Sequence, residues 1–335
     1  MSTITSETST PKRAPAITFC SDFTEASGAD PAGTAWANRH YIMTEIPLPW
    51  PYSLFTSKRV PPGLKDYLES LYERDIWIAS VAIAPDEAWS VPGMTRIIDL
   101  KVEESPLTRY QRNEYLVPTE QTTDAIRALV EGDTGDVLPA WRQDIDPATR
   151  DFFICTHGSI DACCATYGYP TYKLLRSMVE KSPVPIRVWR CSHFGGHAWA
   201  STMLEMPDGR YWGQVKPQDL APLVLRNRPF AELRSKYRGW AAIPAGESQF
   251  AEATALEHLG WDWLDYEITA DHLPERIYGD PPHDATVTFH YRHPQTGDAG
   301  DITIDVIANG YTTIMQTSGT DPETYEQPQW RAAIR

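Results

Sequence analysis

Residues 151–191, DFFICTHGSIDACCATYGYPTYKLLRSMVEKSPVPIRVWRC, decide how this chain is read. DFFI and IRVW are short apolar runs of strand length, and PTYKLLRSMVEK between them reads as a helix. A strand, a crossover helix and a second strand make a parallel pair. Each strand runs into a loop: CTHGSIDACC after the first, CSHFGGH after the second. Cys155 and Cys164 have eight residues between them, His193 and His197 three. Strand ends that converge on one edge of a parallel sheet are where ligands and metals lie. Two thiolates and two imidazoles suit zinc or an iron–sulfur cluster better than a hard cation.

HFGGH is not read as a zinc-protease helix. Two adjacent glycines each cost about 1 kcal/mol in a helix, and Phe194 stands where that motif needs a glutamate base. In a loop, Gly195 and Gly196 can adopt positive φ and turn both imidazoles towards one metal. No CxxC occurs, which argues against thioredoxin-type disulfide exchange. A nucleophilic cysteine with a histidine base would employ one residue of each pair and leave the other two idle. The residues alone leave a zinc site and a 2Fe-2S cluster with two histidine ligands equally open.

Working outward, HAWASTMLEM and RYWGQV read as a hairpin around PDG, and KPQDLAPLVL as a closing helix with proline in its first turn. Upstream, the strand YIMTEI, the helix GLKDYLESLYER, the strands IWIASVAIA, TRIIDLKV and NEYLV and the helix TTDAIRALVEG show the same order. Thr123 is the candidate cap of that last helix and Gly132 its stop. Two successive β-α-β-β-β-α units suggest a duplication, and that order is the thioredoxin-like arrangement; the alternative is one larger mixed sheet. The expected fold is therefore α/β, with tandem thioredoxin-like domains and a C-terminal helix plus antiparallel β-meander. The boundaries fall at a flexible N-terminal arm 1–30, a first domain 31–135, a linker 136–150, a second domain 151–238 carrying the metal residues, and an extension 239–335. In the extension, SQFAEATALEHLG reads as an amphipathic helix. ATVTFHYRH alternates, and DITIDVIA meets YTTIM at Asn309-Gly310, a hairpin-turn pair.

The 335 residues carry a net charge of −15, which speaks against a nucleic-acid partner because phosphate binding needs a basic face. Locally, 171–190 is basic. Lys173, Arg176, Arg187 and Arg190 form a possible patch for an anionic partner. Five cysteines at uneven spacing, a polar start without a signal layout and no apolar run of about 20 residues point to a cytoplasmic protein away from membranes.

CTHGSIDACC, HFGGHAWA and GRYWGQVKPQDL resemble the sucrase/ferredoxin-like family, whose members are thioredoxin-like ferredoxins. C-x8-C followed by H-x3-H is similar to its bis-histidinyl, non-Rieske 2Fe-2S branch. The resemblance implies a 2Fe-2S cluster on Cys155, Cys164, His193 and His197, with the cysteines on the inner iron and the histidines on the outer one; Cys163 falls outside the ligand pattern. Neutral imidazoles in place of two thiolates would raise the potential, as in Rieske centres at roughly −150 to +300 mV against about −400 mV for plant-type ferredoxins. Trp189, Arg190 and Trp199 flank the site as candidate tuners or as ordinary core. GxGxxG is absent, so electrons are expected from an external NAD(P)H-dependent reductase. The acceptor could be an iron(III) chelate such as a ferric siderophore, reduced with proton-coupled electron transfer. A zinc-stabilised binding module and a cluster-based sensor without turnover are the competing readings.

Overall fold

Alternating β-branched and aromatic runs separated by Pro- and Gly-rich turns dictate a sheet-centred molecule. The structure, a computed structural model, describes residues 17–132, 137–180, 182, 184–276 and 279–335. In chain order, α1 (Cys20–Ser27) is followed by β1 (His40–Glu45), α2 (Leu64–Glu73), β2 (Ala79–Ile83), β3 (Met94–Lys101), β4 (Gln111–Pro118) and α3 (Thr122–Glu131). After α4 (Val137–Trp141) come β5 (Arg150–Cys155), α5 (Ala162–Val179), β6 (Ile186–Cys191), β7 (Met203–Met206), β8 (Arg210–Trp212) and α6 (Pro217–Leu225). The chain finishes with β9 (Tyr237–Trp240), α7 (Glu247–Leu259), β10 (Glu267–Ala270), β11 (Ala285–Arg292), β12 (Ala299–Met315) and β13 (Thr324–Ile334).

Strands β1 to β9 form a single sheet in the order β4-β3-β1-β2-β6-β5-β7-β8-β9. Each half repeats one plan. β1 pairs parallel with β2, and β3 and β4 follow antiparallel; β5 pairs parallel with β6, and β7 and β8 follow antiparallel. The halves meet edge to edge through Ile83 and Cys191 of the antiparallel pair β2–β6. The α/β class holds, and the duplicated order is visible in the two halves. They share one core cluster that includes Tyr41, Ile83, Phe153, Trp189 and Trp212. The larger mixed sheet is thus what the two units build together.

The sheet is curled enough to bring distant strands face to face. Arg187 on β6 donates to Glu114 on β4 at 2.8 and 2.9 Å, although β3, β1 and β2 lie between them in the sheet order. It also donates to Asp151 on β5 at 2.7 and 3.0 Å. Arg112 completes Asp151, and Arg96 pairs with Glu114. All five side chains are buried or nearly so. This interior network fits the general rule that buried charges come paired.

Several local expectations are corrected. The arm expected over 1–30 contains a helix: Thr18 bridges Gly319, and α1 follows it with Cys20, Ser21 and Thr24 buried; residues 1–16 lie outside the described residues. The linker contains α4. Helix α3 begins after Gln121, and the Thr123 hydroxyl donates to the Pro62 carbonyl instead of capping. HAWASTMLEM gives strand only from Met203; His197–Trp199 is a single 3-10 turn. Helix α7 is not amphipathic, being buried on nearly every face, with Gln249 bonding the carbonyls of Ala35, Trp240 and Ile243. Asn309-Gly310 is no hairpin. β12 runs straight through it, with an irregularity in its pairing to β13 between Ala308 and Tyr311, and Gly310 takes a positive φ of 77°. β12 takes up two of the expected strands, and β10 and β13, neither assigned in the sequence, complete a four-stranded second sheet in the order β10-β11-β12-β13.

Candidate metal centre

The centre is built where β5 and β6 end side by side, with Cys155 paired in register with Cys191. Helix α5 starts eight residues earlier than its apolar periodicity suggests, at Ala162. Asp161 caps it, accepting the Cys163 N–H at 2.8 Å. Cys163 and Cys164 therefore lie in the first helical turn. Two glycines let this turn press onto the strand end. A Cβ on Gly168 would stand 1.9 Å from the Cys155 carbonyl oxygen, and one on Gly158 would stand 2.6 Å from the Ala165 Cβ. The intervening loop is tied to the proline-rich segment after β1. His157 Nε2 donates to the Pro51 carbonyl at 2.9 Å, and the Ser159 hydroxyl donates to that of Trp50 at 2.7 Å.

Three of the four expected ligands come together. The Cys155 and Cys164 sulfurs each lie 3.9 Å from Nδ1 of His193, and these donor atoms all fall within 4.8 Å of one another. The HFGGH turn does what its glycines require. Gly195 and Gly196 take positive φ, and the His193 and His197 ring centroids end 5.4 Å apart. His197 differs from the expectation in its orientation. Its Nδ1 points to Asp161 Oδ2 and to the Cys20 sulfur, 3.6 Å from each. Its Nε2 is then the nitrogen left for a metal.

Burial raises the Cys155 thiol, but the hydrogen bond from Cys164 and the His193 imidazole outweigh it and hold Cys155 well below the usual thiol range. Cys164, bonded to the Cys155 sulfur and buried, is pushed far up. The two sulfurs are thus pushed in opposite directions by each other, and a bound cation favours the thiolate of both. Two buried thiols, one of them poised as thiolate, and converging imidazoles fit a soft metal centre. The fit holds for zinc and for iron–sulfur alike.

Five residues around this centre have partners that the sequence did not predict. Cys20, Cys163 and Asp161 form a second buried cluster against the half-buried Ser318, with the Cys20 and Cys163 sulfurs 3.3 Å apart. Only the Asp161 cap, an acidic residue just before an apolar run, left a readable signal. The fifth, Arg238, is buried against Gly196; its guanidinium donates to the carbonyls of Gly195 and Thr34 and to the Thr34 hydroxyl. Burial pulls its pKa down to about 10. Arg238 and Arg276 line a cavity of about 320 Å³ beside His197, walled also by Trp199, Gln316 and Gln327.

The basic patch does not survive as four free charges. Arg187 is locked in the interior network, and Arg176 pairs with Asp86 while stacking on Trp89. Lys173 and Arg190 remain, both over the ring of Tyr169. Trp189 and Trp199 are buried, Trp189 donating to Asp151, so both serve as core. No helix among the described residues is long and apolar enough to cross a membrane.

Comparison with known proteins bears on residues 31–239, which match the sucrase/ferredoxin-like family model. No curated protein matches the chain. Among solved structures, a thioredoxin-like 2Fe-2S ferredoxin from Aquifex aeolicus aligns at 18% identity with a TM-score of 0.21, covering 25% of this chain and 88% of that one. A TM-score that low carries no inference about this chain, and the fold rests on the strand order itself.

Proposed function

The chain belongs to the sucrase/ferredoxin-like family, and on that premise we propose that it is a one-electron carrier built around a 2Fe-2S cluster on Cys155, Cys164, His193 and His197. The observation that carries this reading is the convergence of the Cys155 and Cys164 sulfurs with His193 Nδ1, all within 4.8 Å. A bound cluster supplies one-electron chemistry. On this reading the chain has a first unit over 31–135 and a cluster-bearing unit over 151–238. An external NAD(P)H-dependent reductase, in the cytoplasm, is the proposed donor.

The protein's own part is to orient the donors and manage charge. The loop anchored at Trp50 and Pro51 presents Cys155, and the capped turn of α5 presents Cys164. Arg238 places a positive charge behind the HFGGH turn, where it favours uptake of an electron. His193, meeting the thiols through Nδ1, keeps an exchangeable proton on Nε2. His197, with Nδ1 facing Asp161, keeps its proton there and has Nε2 left for the centre. A cluster held there would couple electron uptake to the protons on these imidazoles, because added negative charge raises proton affinity. The cavity beside His197, lined by two arginines and closed on one side by β12 and β13, supports an anionic acceptor such as a ferric siderophore.

The test is a pair of titrations. His193→Cys and His197→Cys should each keep a cluster but lower its potential, because an anionic ligand replaces a neutral one. The wild-type midpoint should fall with rising pH between the two imidazole pKa values. An unchanged potential in either variant removes that histidine from the ligand set, and a flat pH profile removes proton coupling. A zinc module would show neither response.

A further inference from the structure

Two cysteines have no part in the proposed centre, yet the fold brings them together. Cys20 opens α1 and Cys163 lies in the first turn of α5. They are 143 residues apart in sequence, with their sulfurs 3.3 Å apart and both side chains fully buried. The surroundings hold them in place. The Cys163 sulfur contacts the Ser318 hydroxyl at 3.1 Å and accepts the Ser21 N–H at 3.5 Å. The Cys20 N–H donates to that same hydroxyl at 3.0 Å, and the Cys20 thiol reaches Asp161 Oδ1 and the His197 carbonyl, each at 3.5 Å. Four pieces of chain meet here: α1, the start of α5, the turn at His197 and the loop after β12.

A second metal ion is the less fitting occupant. Two thiolates on a tetrahedral ion, each about 2.3 Å from it, stand about 3.8 Å apart, wider than this pair. Asp161, the third donor, already accepts the Cys163 N–H at 2.8 Å and the Ser318 N–H and O–H at 2.8 and 2.7 Å. A disulfide needs about 2.05 Å between sulfurs, and these two already stand 3.3 Å apart.

We propose that Cys20 and Cys163 are a redox-active dithiol, which a hydroperoxide converts to a disulfide that ties α1 across the helix terminus carrying Cys164. One sulfur attacks the O–O bond, becoming a sulfenic acid and releasing the alcohol, or water when the oxidant is hydrogen peroxide. The second thiol then displaces the sulfenic hydroxyl as water, forming the S–S bond. Two thiols lose their hydrogens and two electrons, and the peroxide takes both. An external dithiol reverses the step and is itself oxidised to a disulfide. Because both sulfurs are buried, the oxidant reaches them when the two-turn helix α1 lifts, and the bond then holds that helix down beside His197. The inference stands whether the neighbouring centre holds iron or zinc.

The experiment uses the full chain with its native metal content, reduced with dithiothreitol, desalted and exposed to hydrogen peroxide. After alkylation, peptides are mapped without reduction. The expected result is the loss of two hydrogens and a linked pair of peptides containing Cys20 and Cys163, restored by dithiothreitol. Cys20→Ala and Cys163→Ala should abolish the link, and Cys191→Ala should retain it. Should either alanine variant fail to fold, fragmentation of the linked wild-type peptide between residues 163 and 164 assigns the bond to Cys163 or to Cys164. Oxidation of these sulfurs to sulfinic acid without a link would overturn the proposal. So would a link that persists in Cys163→Ala, which would implicate Cys164, or a stoichiometric metal ion whose removal is needed before any link forms.

Discussion

Gly168→Ala sets helix propensity directly against packing. Alanine is favoured over glycine in a helix interior by about 1 kcal/mol, so at an open site the substitution would stabilise α5. Here the new Cβ would lie 1.9 Å from the Cys155 carbonyl oxygen and 3.1 Å from its carbon. Real contacts of that kind begin near 3 Å, so α5 must retreat by roughly 1 Å from the end of β5 in an interior packed as tightly as a crystal. Overpacking costs about 1–3 kcal/mol, and a backbone obstacle that cannot rotate away puts this case at the upper end. The net expectation is a loss of about 1–2 kcal/mol, seen as a lower urea midpoint with an unchanged slope. The same retreat separates Cys164 from Cys155, so metal content should fall even where the protein remains folded. A Gly168→Ala protein that is more stable than wild type, with its full metal complement, would refute the account of how the centre is assembled.

Arg187→Met leaves Glu114 and Asp151 buried without their shared cation, and should cost about 3 kcal/mol, the low end for a broken buried pair, because Arg96 and Arg112 remain; chemical denaturation measures it, and a neutral result would contradict the network. His290, clamped between Asp271 and Asp301, has a raised pKa from those two hydrogen bonds. Its contribution to stability should be fully present below about pH 6.5, the unfolded value, and be lost as pH rises through the folded value; NMR titration should place the imidazole above 6.5, and His290→Gln should remove that part of the pH dependence. Cys155→Ser and Cys164→Ser should lose the metal centre, whereas Cys163→Ser and Cys20→Ser should leave its absorption nearly unchanged. Bleaching by Cys163→Ser alone would move the ligand to the neighbouring residue.

What the sequence revealed follows from which forces act locally. The strands DFFI and IRVWR, the hairpin at PDG and the glycine turn of HFGGH all appear where pattern and turn chemistry put them, because burial and positive φ are readable residue by residue. The first two turns of α5 were hidden: Cys163, Cys164 and Gly168 are poor helix formers, and the reason they are helical is their packing onto β5. Helix α1 was hidden for a similar reason, since it buries Cys20, Ser21 and Thr24 rather than an apolar stripe. Asn309-Gly310 misled because the pair tolerates positive φ in a bulge as readily as in a hairpin. The basic segment misled because charge counting along the chain cannot show that Arg187 points inward to carboxylates from two other strands.

The central claim is that this fold gathers Cys155, Cys164, His193 and His197 around a 2Fe-2S cluster. The most direct measurement is the ultraviolet–visible spectrum of the anaerobically purified protein, with iron, zinc and acid-labile sulfide determined on the same sample. The account predicts a coloured protein with two irons and two sulfides per chain, bleached partly by dithionite and restored by air. A colourless protein with one zinc per chain and no sulfide would contradict it.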